Sequence, residues 1–176
     1  MFARSLCAAV VGLAGVGGCS FVLNFDDSQI PKDMAIDGPF SQNECDYKEP
    51  NNSVAEAAVF IPGTDVGPGA ICSDADAGVE DRDYYRFTIP PATASVQVKI
   101  TFPNLGNDDD LDLRLFDVTG ATLYSQSRGI LQEETINCPS SAPPCPMLAE
   151  GDYVFEVFPA PGSTNRYDIA VTITPM

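Results

Sequence analysis

The sequence predicts an all-β fold, an antiparallel β-sandwich made as a single domain, and three observations carry that reading. Apolar residues recur at every second position in several short runs, the period of a strand with one buried and one wet face. Turn residues interrupt these runs at intervals of about 8 to 15 residues, which is sandwich spacing. No stretch keeps the 3.6-residue period of a long amphipathic helix. The 176 residues suit one domain of ordinary size. At 44% hydrophobic and 19% charged, they hold enough apolar area to fold rather than stay disordered.

The first 19 residues, MFARSLCAAVVGLAGVGGC, place Arg4 ahead of an apolar run from Leu6 to Val16, followed by small residues and Cys19. That is the layout of an export signal, and the run is too short to span a bilayer. Residues 1–18 are therefore set apart from the fold as a signal peptide. The end of the run, Val16-Gly17-Gly18-Cys19, resembles the lipobox of bacterial lipoproteins, in which the cysteine is lipidated and becomes the first mature residue. That resemblance implies lipid attachment at Cys19, and Ser20 in place of Asp implies sorting to the outer membrane. Ordinary cleavage near Gly18 with an unmodified Cys19 is the alternative, and either route takes the chain out of the cytoplasm. Acyl chains would hold it at the membrane without a transmembrane helix. Residues 19–44 carry Asp26, Asp27, Asp33 and Asp37 with Pro31 and Pro39 and show no lasting periodicity. They read as an acidic tether in which Phe21-Val22-Leu23 either packs on the domain or lies at the membrane surface.

The domain occupies residues 45–176. Its one helical candidate is Ser53 to Ala58, where Ser53 is placed to cap and Glu56 stands at the third helical position. Asp83-Tyr84-Tyr85-Arg86-Phe87-Thr88-Ile89 is rich in strand formers and is halted by Pro90-Pro91. Val96, Val98, Ile100 and Phe102 alternate with Gln97, Lys99 and Thr101, and Leu111, Leu113 and Leu115 with Asp112, Arg114 and Phe116. Asp117-Val118-Thr119-Gly120 then supplies a hairpin turn with Gly where positive φ is needed. Glu150-Gly151-Asp152 leads into a run in which Tyr153, Phe155 and Val157 interleave with Val154, Glu156 and Phe158. The last strand carries Tyr167, Ile169, Val171 and Ile173 on one face. Tyr84, Arg86, Arg114 and Phe116 fall on the opposite faces of their strands, either as anchors for a protein or glycan ligand or as packing between sheets.

Composition excludes several functions. Twenty-five Asp and Glu against 9 Lys and Arg give a net charge of −16, and loss of residues 1–18 removes Arg4 and no acid, leaving −17. A nucleic-acid backbone is met by basic patches, so nucleic acid is excluded as a partner, while cations and basic surfaces suit the charge. The chain has no His, so mechanisms that need imidazole are closed to it. With Cys7 in the signal and Cys19 at its end, Cys45, Cys72, Cys138 and Cys145 remain. An even count in an oxidising compartment reads as two disulfides with three possible pairings. Cys45 with Cys72 and Cys138 with Cys145 is favoured, because each pair closes a segment bounded by turn residues. A four-cysteine zinc site is the competing reading, and no C-x-x-C pair supports it.

Four stretches, taken in order, resemble a known family. They are Lys48-Glu49-Pro50-Asn51-Asn52-Ser53-Val54-Ala55-Glu56-Ala57, Glu80-Asp81-Arg82-Asp83-Tyr84-Tyr85-Arg86-Phe87, Asp110-Leu111-Asp112-Leu113-Arg114-Leu115-Phe116-Asp117 and Gly151-Asp152-Tyr153. Over about residues 45 to 174 the chain resembles the bacterial pre-peptidase C-terminal domain, the group that includes the collagen-binding domains of clostridial collagenases. The resemblance implies a jelly-roll-like sandwich that is non-catalytic and usually appended to secreted proteases. No protease domain precedes it here, and the Cys138 to Cys145 loop departs from the common pattern. In calcium-binding relatives the Glu and Asn of the E-P-N segment and acids just before the D-Y-Y strand supply the ligands. The resemblance therefore implies calcium at Glu49, Asn51, Asn52, Asp81 and Asp83, with Glu80 as a substitute. Tyr47 stands where an additional carboxylate is expected.

Other acidic stretches imply less. Asp74-Ala75-Asp76-Ala77-Gly78 has its Gly one position early for an EF-hand loop and Tyr85 at the twelfth position, so it fails that motif. Asn107-Asp108-Asp109-Asp110 followed by Asp112 reads as a solvated hairpin start. The expected function is a non-catalytic envelope lipoprotein whose sandwich binds an unidentified protein or glycan. The alternative is an accessory or targeting factor for a separately encoded secreted peptidase. A third reading is an acid-based glycan hydrolase, for which any acid-rich sandwich supplies carboxylate pairs by chance.

Overall fold

The structure, a computed structural model, describes residues 45, 47–72, 81–103, 110–161 and 163–176, all within the compact unit Ile36–Met176. The expected signal peptide, Cys19, the tether, Glu80 and the Asp74–Gly78 stretch lie outside the described residues. Eleven strands are present among the described residues: β1 (Ala58–Val59), β2 (Gly69–Ile71), β3 (Asp83–Ile89), β4 (Thr93–Thr101), β5 (Leu111–Asp117), β6 (Leu123–Ser127), β7 (Glu133–Cys138), β8 (Ser140–Ser141), β9 (Pro144–Cys145), β10 (Gly151–Pro159) and β11 (Asn165–Pro175). Five strands form one sheet in the order β1-β3-β10-β5-β6, and four form the facing sheet in the order β2-β11-β4-β7. The chain is an antiparallel sandwich as expected, apart from one parallel pair in which Ala58 and Val59 of β1 lie beside Tyr85 and Arg86 of β3.

The alternation in the sequence sets which faces meet. Tyr85, Phe87, Leu113, Leu115 and Phe155 point inward from the first sheet, against Val98, Ile100, Ile136 and Ile169 from the second. Full burial of each such side chain contributes about 1.5–3 kcal/mol. The Phe155 ring stacks on Tyr85 at 5.1 Å and meets Phe60 edge-on at 5.8 Å, which adds quadrupole complementarity to the buried area. The helical candidate is one 3-10 turn, Val54–Glu56, in which Ser53 Oγ donates to Glu56 Oε2 at 2.9 Å. After β5, Gly120 takes φ 74° and its N–H donates to Asp117 O at 3.0 Å. The Asp117 carboxyl is pushed down to about 2 by hydrogen bonds, chiefly from the Thr119 hydroxyl.

Disulfides join Cys45 to Cys72 and Cys138 to Cys145, so all four cysteines are in the favoured pairing and the zinc reading falls. Asp112 departs from the solvated reading: it is 3% exposed, and Arg128 Nε donates to its Oδ2 at 3.0 Å. Position 112 lies inside β5, so its carboxylate is buried and needs a counter-ion, while residues 107–109 of that stretch lie outside the described residues. No helix among the described residues is long and apolar enough to cross a membrane.

Candidate metal centre

At the start of β3 the fold brings together acids from two chain segments. One ligand oxygen each from Glu49, Asp81 and Asp83 lies within 4.8 Å of the others. Calcium binds oxygens at about 2.3–2.6 Å, so two ligands on opposite sides of one ion are at most about 5 Å apart. The three carboxylates fit around a single ion.

Each carboxylate is fixed by a neighbour. Glu49 Oε2 accepts the Asn51 N–H at 2.8 Å and the exposed Asn52 Nδ2 at 3.2 Å. Asp81 Oδ2 accepts the Cys72 N–H at 2.7 Å, which ties this acid to the end of β2 and to the Cys45–Cys72 disulfide. Asp83 is 2% exposed, and its Oδ2 accepts the hydroxyl of Tyr167, which reaches across from the second sheet and meets the Tyr85 hydroxyl at 2.8 Å. Asn51 is fully buried, and its backbone O accepts the Tyr84 N–H at 2.9 Å, so the 49–52 segment lies along β3.

The Asn51 side chain faces the carboxylates directly. Turned one way, its Nδ2 donates to Glu49 Oε1 at 3.0 Å, Glu49 Oε2 at 3.2 Å and Asp83 Oδ1 at 3.1 Å. Turned the other way, its Oδ1 occupies that place and four oxygens converge. The first arrangement satisfies the acids without an ion, and the second presents a ligand set to one.

Electrostatics point the same way. Burial holds the Asp83 carboxyl well above the usual carboxylate range, with the charges of Asp81 and Glu49 adding to it and the Tyr167 hydroxyl opposing. Burial, then the Asp83 charge, raises Tyr167 and Tyr85 well above the ordinary phenol value. A cation among these acids relieves both the desolvation and the mutual repulsion.

Of the positions implied for calcium, Glu49, Asn51, Asp81 and Asp83 converge, while Asn52 supports Glu49 from the solvent side. Tyr47 packs against the core, and its hydroxyl points to Val66 O at 3.5 Å. Tyr167 was legible only as a core position of the last strand. Its ring lies over Gly69, where an added Cβ would come within 2.7 Å of Tyr167 Cζ and Oη. Glycine on β2 thus lets the tyrosine reach the site.

No family model matches the chain, and no curated protein matches it. Among solved structures it is similar to the pre-peptidase C-terminal domain of a collagenase from Bacillus anthracis, with a TM-score of 0.50 and 12% identity, over 66% of this chain and 94% of that one. At that identity the likeness is one of fold: the sandwich has the architecture of a pre-peptidase C-terminal domain.

Proposed function

We propose that the chain is a non-catalytic binding module of the cell envelope, stabilised by calcium held by Glu49, Asn51, Asp81 and Asp83. The supporting observation is the convergence of three carboxylates and one buried amide where segment 49–52 meets the start of β3. Glu49, Asp81 and Asp83 provide three negative charges, and with Glu49 bidentate the set offers five oxygens, with water completing the six to eight that calcium takes. Calorimetry of the purified domain with calcium, and melting in millimolar calcium against EDTA, tests the reading. Heat of binding with a raised melting temperature is expected, and unchanged melting at millimolar calcium overturns it.

Attachment to the outer membrane through lipid at Cys19 is the second element of the proposal, supported by the Val16-Gly17-Gly18-Cys19 motif. Mass spectrometry of the mature N-terminus is expected to find an acylated Cys19. A Cys19→Ser variant should move to the soluble fraction, and an unacylated Cys19 or a different start overturns the anchor.

A further inference from the structure

The outward face of the five-stranded sheet is built differently from the rest of this acidic chain. Of nine basic residues, four stand on it: Arg82 just before β3, Arg86 on β3, Arg114 on β5 and Arg128 just after β6. Three of them gather on one ring, with the guanidinium carbons of Arg114, Arg128 and Arg82 at 4.0, 5.6 and 5.7 Å from the Phe158 centroid. Beside Phe158, Glu156 is 1% exposed and accepts Arg82 Nη1 at 2.8 Å, Arg114 Nη1 at 3.2 Å and the Tyr84 hydroxyl at 2.8 Å. Asp112 holds Arg128 in the same way. Four guanidiniums thus stand with the two buried carboxylates, and the exposed Asp152 lies further along the face, where it accepts the Thr88 hydroxyl, so basic side chains are concentrated here on a chain of net charge −16.

Stability alone does not explain this arrangement. A buried ion pair is commonly no more stabilising than apolar side chains of the same volume. Its effect here is to fix long side chains in one geometry, because Arg114 and Arg128 are each held by a carboxylate and by the Phe158 ring. Each shows one of its five N–H donors in an ion pair. Arg86 is the telling residue. It has no ion pair among the described residues, and its buried Nε lacks a hydrogen-bond partner. It sits in a row that crosses all five strands as Val59, Arg86, Val154, Phe116 and Leu123. Val59 and Leu123, at the two ends, are 63% and 47% exposed. At about 4.8 Å per strand the row is about 20 Å wide.

We propose that this face docks a partner protein through an acidic segment, whose carboxylates pair with Arg86, Arg114 and Arg128 while its apolar side chains lie on Val59, Phe116 and Leu123. Arginine and aromatic residues are enriched at protein interfaces, and arginine at their hot spots. An acidic glycan is disfavoured because the Phe158 ring is buried and covered by guanidiniums, and the most exposed apolar side chains of the row, Val59 and Leu123, are aliphatic and offer no ring for a sugar to stack on. The inference rests on the binding-module reading, and it is independent of the cation site.

The test is fluorescence anisotropy of labelled poly-L-glutamate with the full mature protein at low and physiological salt, beside polygalacturonate, for wild type, Arg86→Gln and Lys99→Gln. Lys99 lies on the other sheet and pairs with Glu133. Poly-L-glutamate is expected to bind wild type in a salt-dependent manner, about tenfold more weakly to Arg86→Gln and unchanged to Lys99→Gln. Polygalacturonate is expected to bind at least about tenfold more weakly than the polypeptide. Absence of poly-L-glutamate binding, an equal loss in both variants, or equal or tighter binding of polygalacturonate overturns the proposal. If calcium binding persists in that event, the face alone is excluded and the cation site stands.

Discussion

Asp83→Asn has opposite consequences with and without calcium, which makes it the sharpest test of the metal centre. In EDTA the wild-type protein holds a buried carboxyl beside Asp81 and Glu49, and burial with those charges opposes its ionisation. Asparagine keeps the oxygen that accepts from Tyr167 and removes the charge, so the like-charge repulsion disappears, while its NH2 replaces the oxygen that accepts from Asn51, whose amide then turns to offer its own oxygen. Relief of about 1 kcal/mol is expected, a rise of about 3 °C for a domain of this size. Calcium reverses the order. Extracellular calcium modules bind with Kd of about 10⁻⁴–10⁻³ M, so about 10 mM calcium stabilises wild type by about 1.4–2.7 kcal/mol, or about 5–10 °C. The variant lacks a charged ligand and should show a small fraction of that shift. Differential scanning calorimetry of both proteins in EDTA and in calcium reads all four values. A variant that melts lower than wild type by the same margin in both buffers refutes the reasoning, because Asp83 would then be an ordinary buried structural acid.

The raised Asp83 pKa gives a pH dependence. A carboxyl whose folded pKa exceeds its unfolded value of 3.8 destabilises the ion-free fold as pH rises from 3.8 through the raised value. The advantage of Asp83→Asn in EDTA should therefore grow with pH, and the calcium-induced melting shift of wild type should shrink as protons compete, both read by melting from about pH 4.5 to 7.5. Replacing Cys45 and Cys72 by Ser removes a cross-link of sequence separation 27, with an expected loss of about 3–4 kcal/mol. It should also weaken calcium binding in calorimetry, because Cys72 N–H holds Asp81; the Cys138→Ser, Cys145→Ser pair should cost about 2–3 kcal/mol and leave calcium affinity unchanged. Gly69→Ala drives a methyl against the Tyr167 ring. It should lower stability by about 1–3 kcal/mol in chemical denaturation and weaken calcium binding with it.

The long strands were legible because β3, β4 and β11 alternate between buried and more exposed positions over most of their length, while β5 and β10 keep an apolar residue at every second position, Leu111, Leu113 and Leu115 in one and Tyr153, Phe155 and Val157 in the other. β7 was hidden because Glu134 occupies an inward position at 2% exposure, where its carboxylate accepts the Gly129 N–H at 2.7 Å and the Ser127 hydroxyl. A polar residue at that place erases the period that marks a strand. β1 and β2 are two and three residues long and carry no period at all. The parallel pairing of β1 with β3 joins Ala58 to Tyr85 across a long stretch of sequence and leaves no local mark. At the candidate metal centre, Glu49 and Asp83 are 34 positions apart and meet because the Asn51 carbonyl pairs segment 49–52 with Tyr84. Tyr167 stands 84 positions from Asp83, and its apolar ring reads as core while its hydroxyl carries the contact. Glu156 likewise reads as the wet residue of its strand, and the arginines that bury it come from other elements.

The Cys45–Cys72 disulfide also determines how the domain responds to being pulled. Tension applied through the residues before Cys45 passes across the sulfur bridge to Cys72 at the end of β2, and the intervening 26 residues form a closed loop outside the load path. Glu49, Asn51 and the two-residue strand β1 all lie within that loop. β1 is an edge strand of two residues and would be the first element to peel if the chain were drawn directly through it. With the bridge closed, force instead enters the four-stranded sheet by a covalent route, and Glu49 and Asn51 bear none of it.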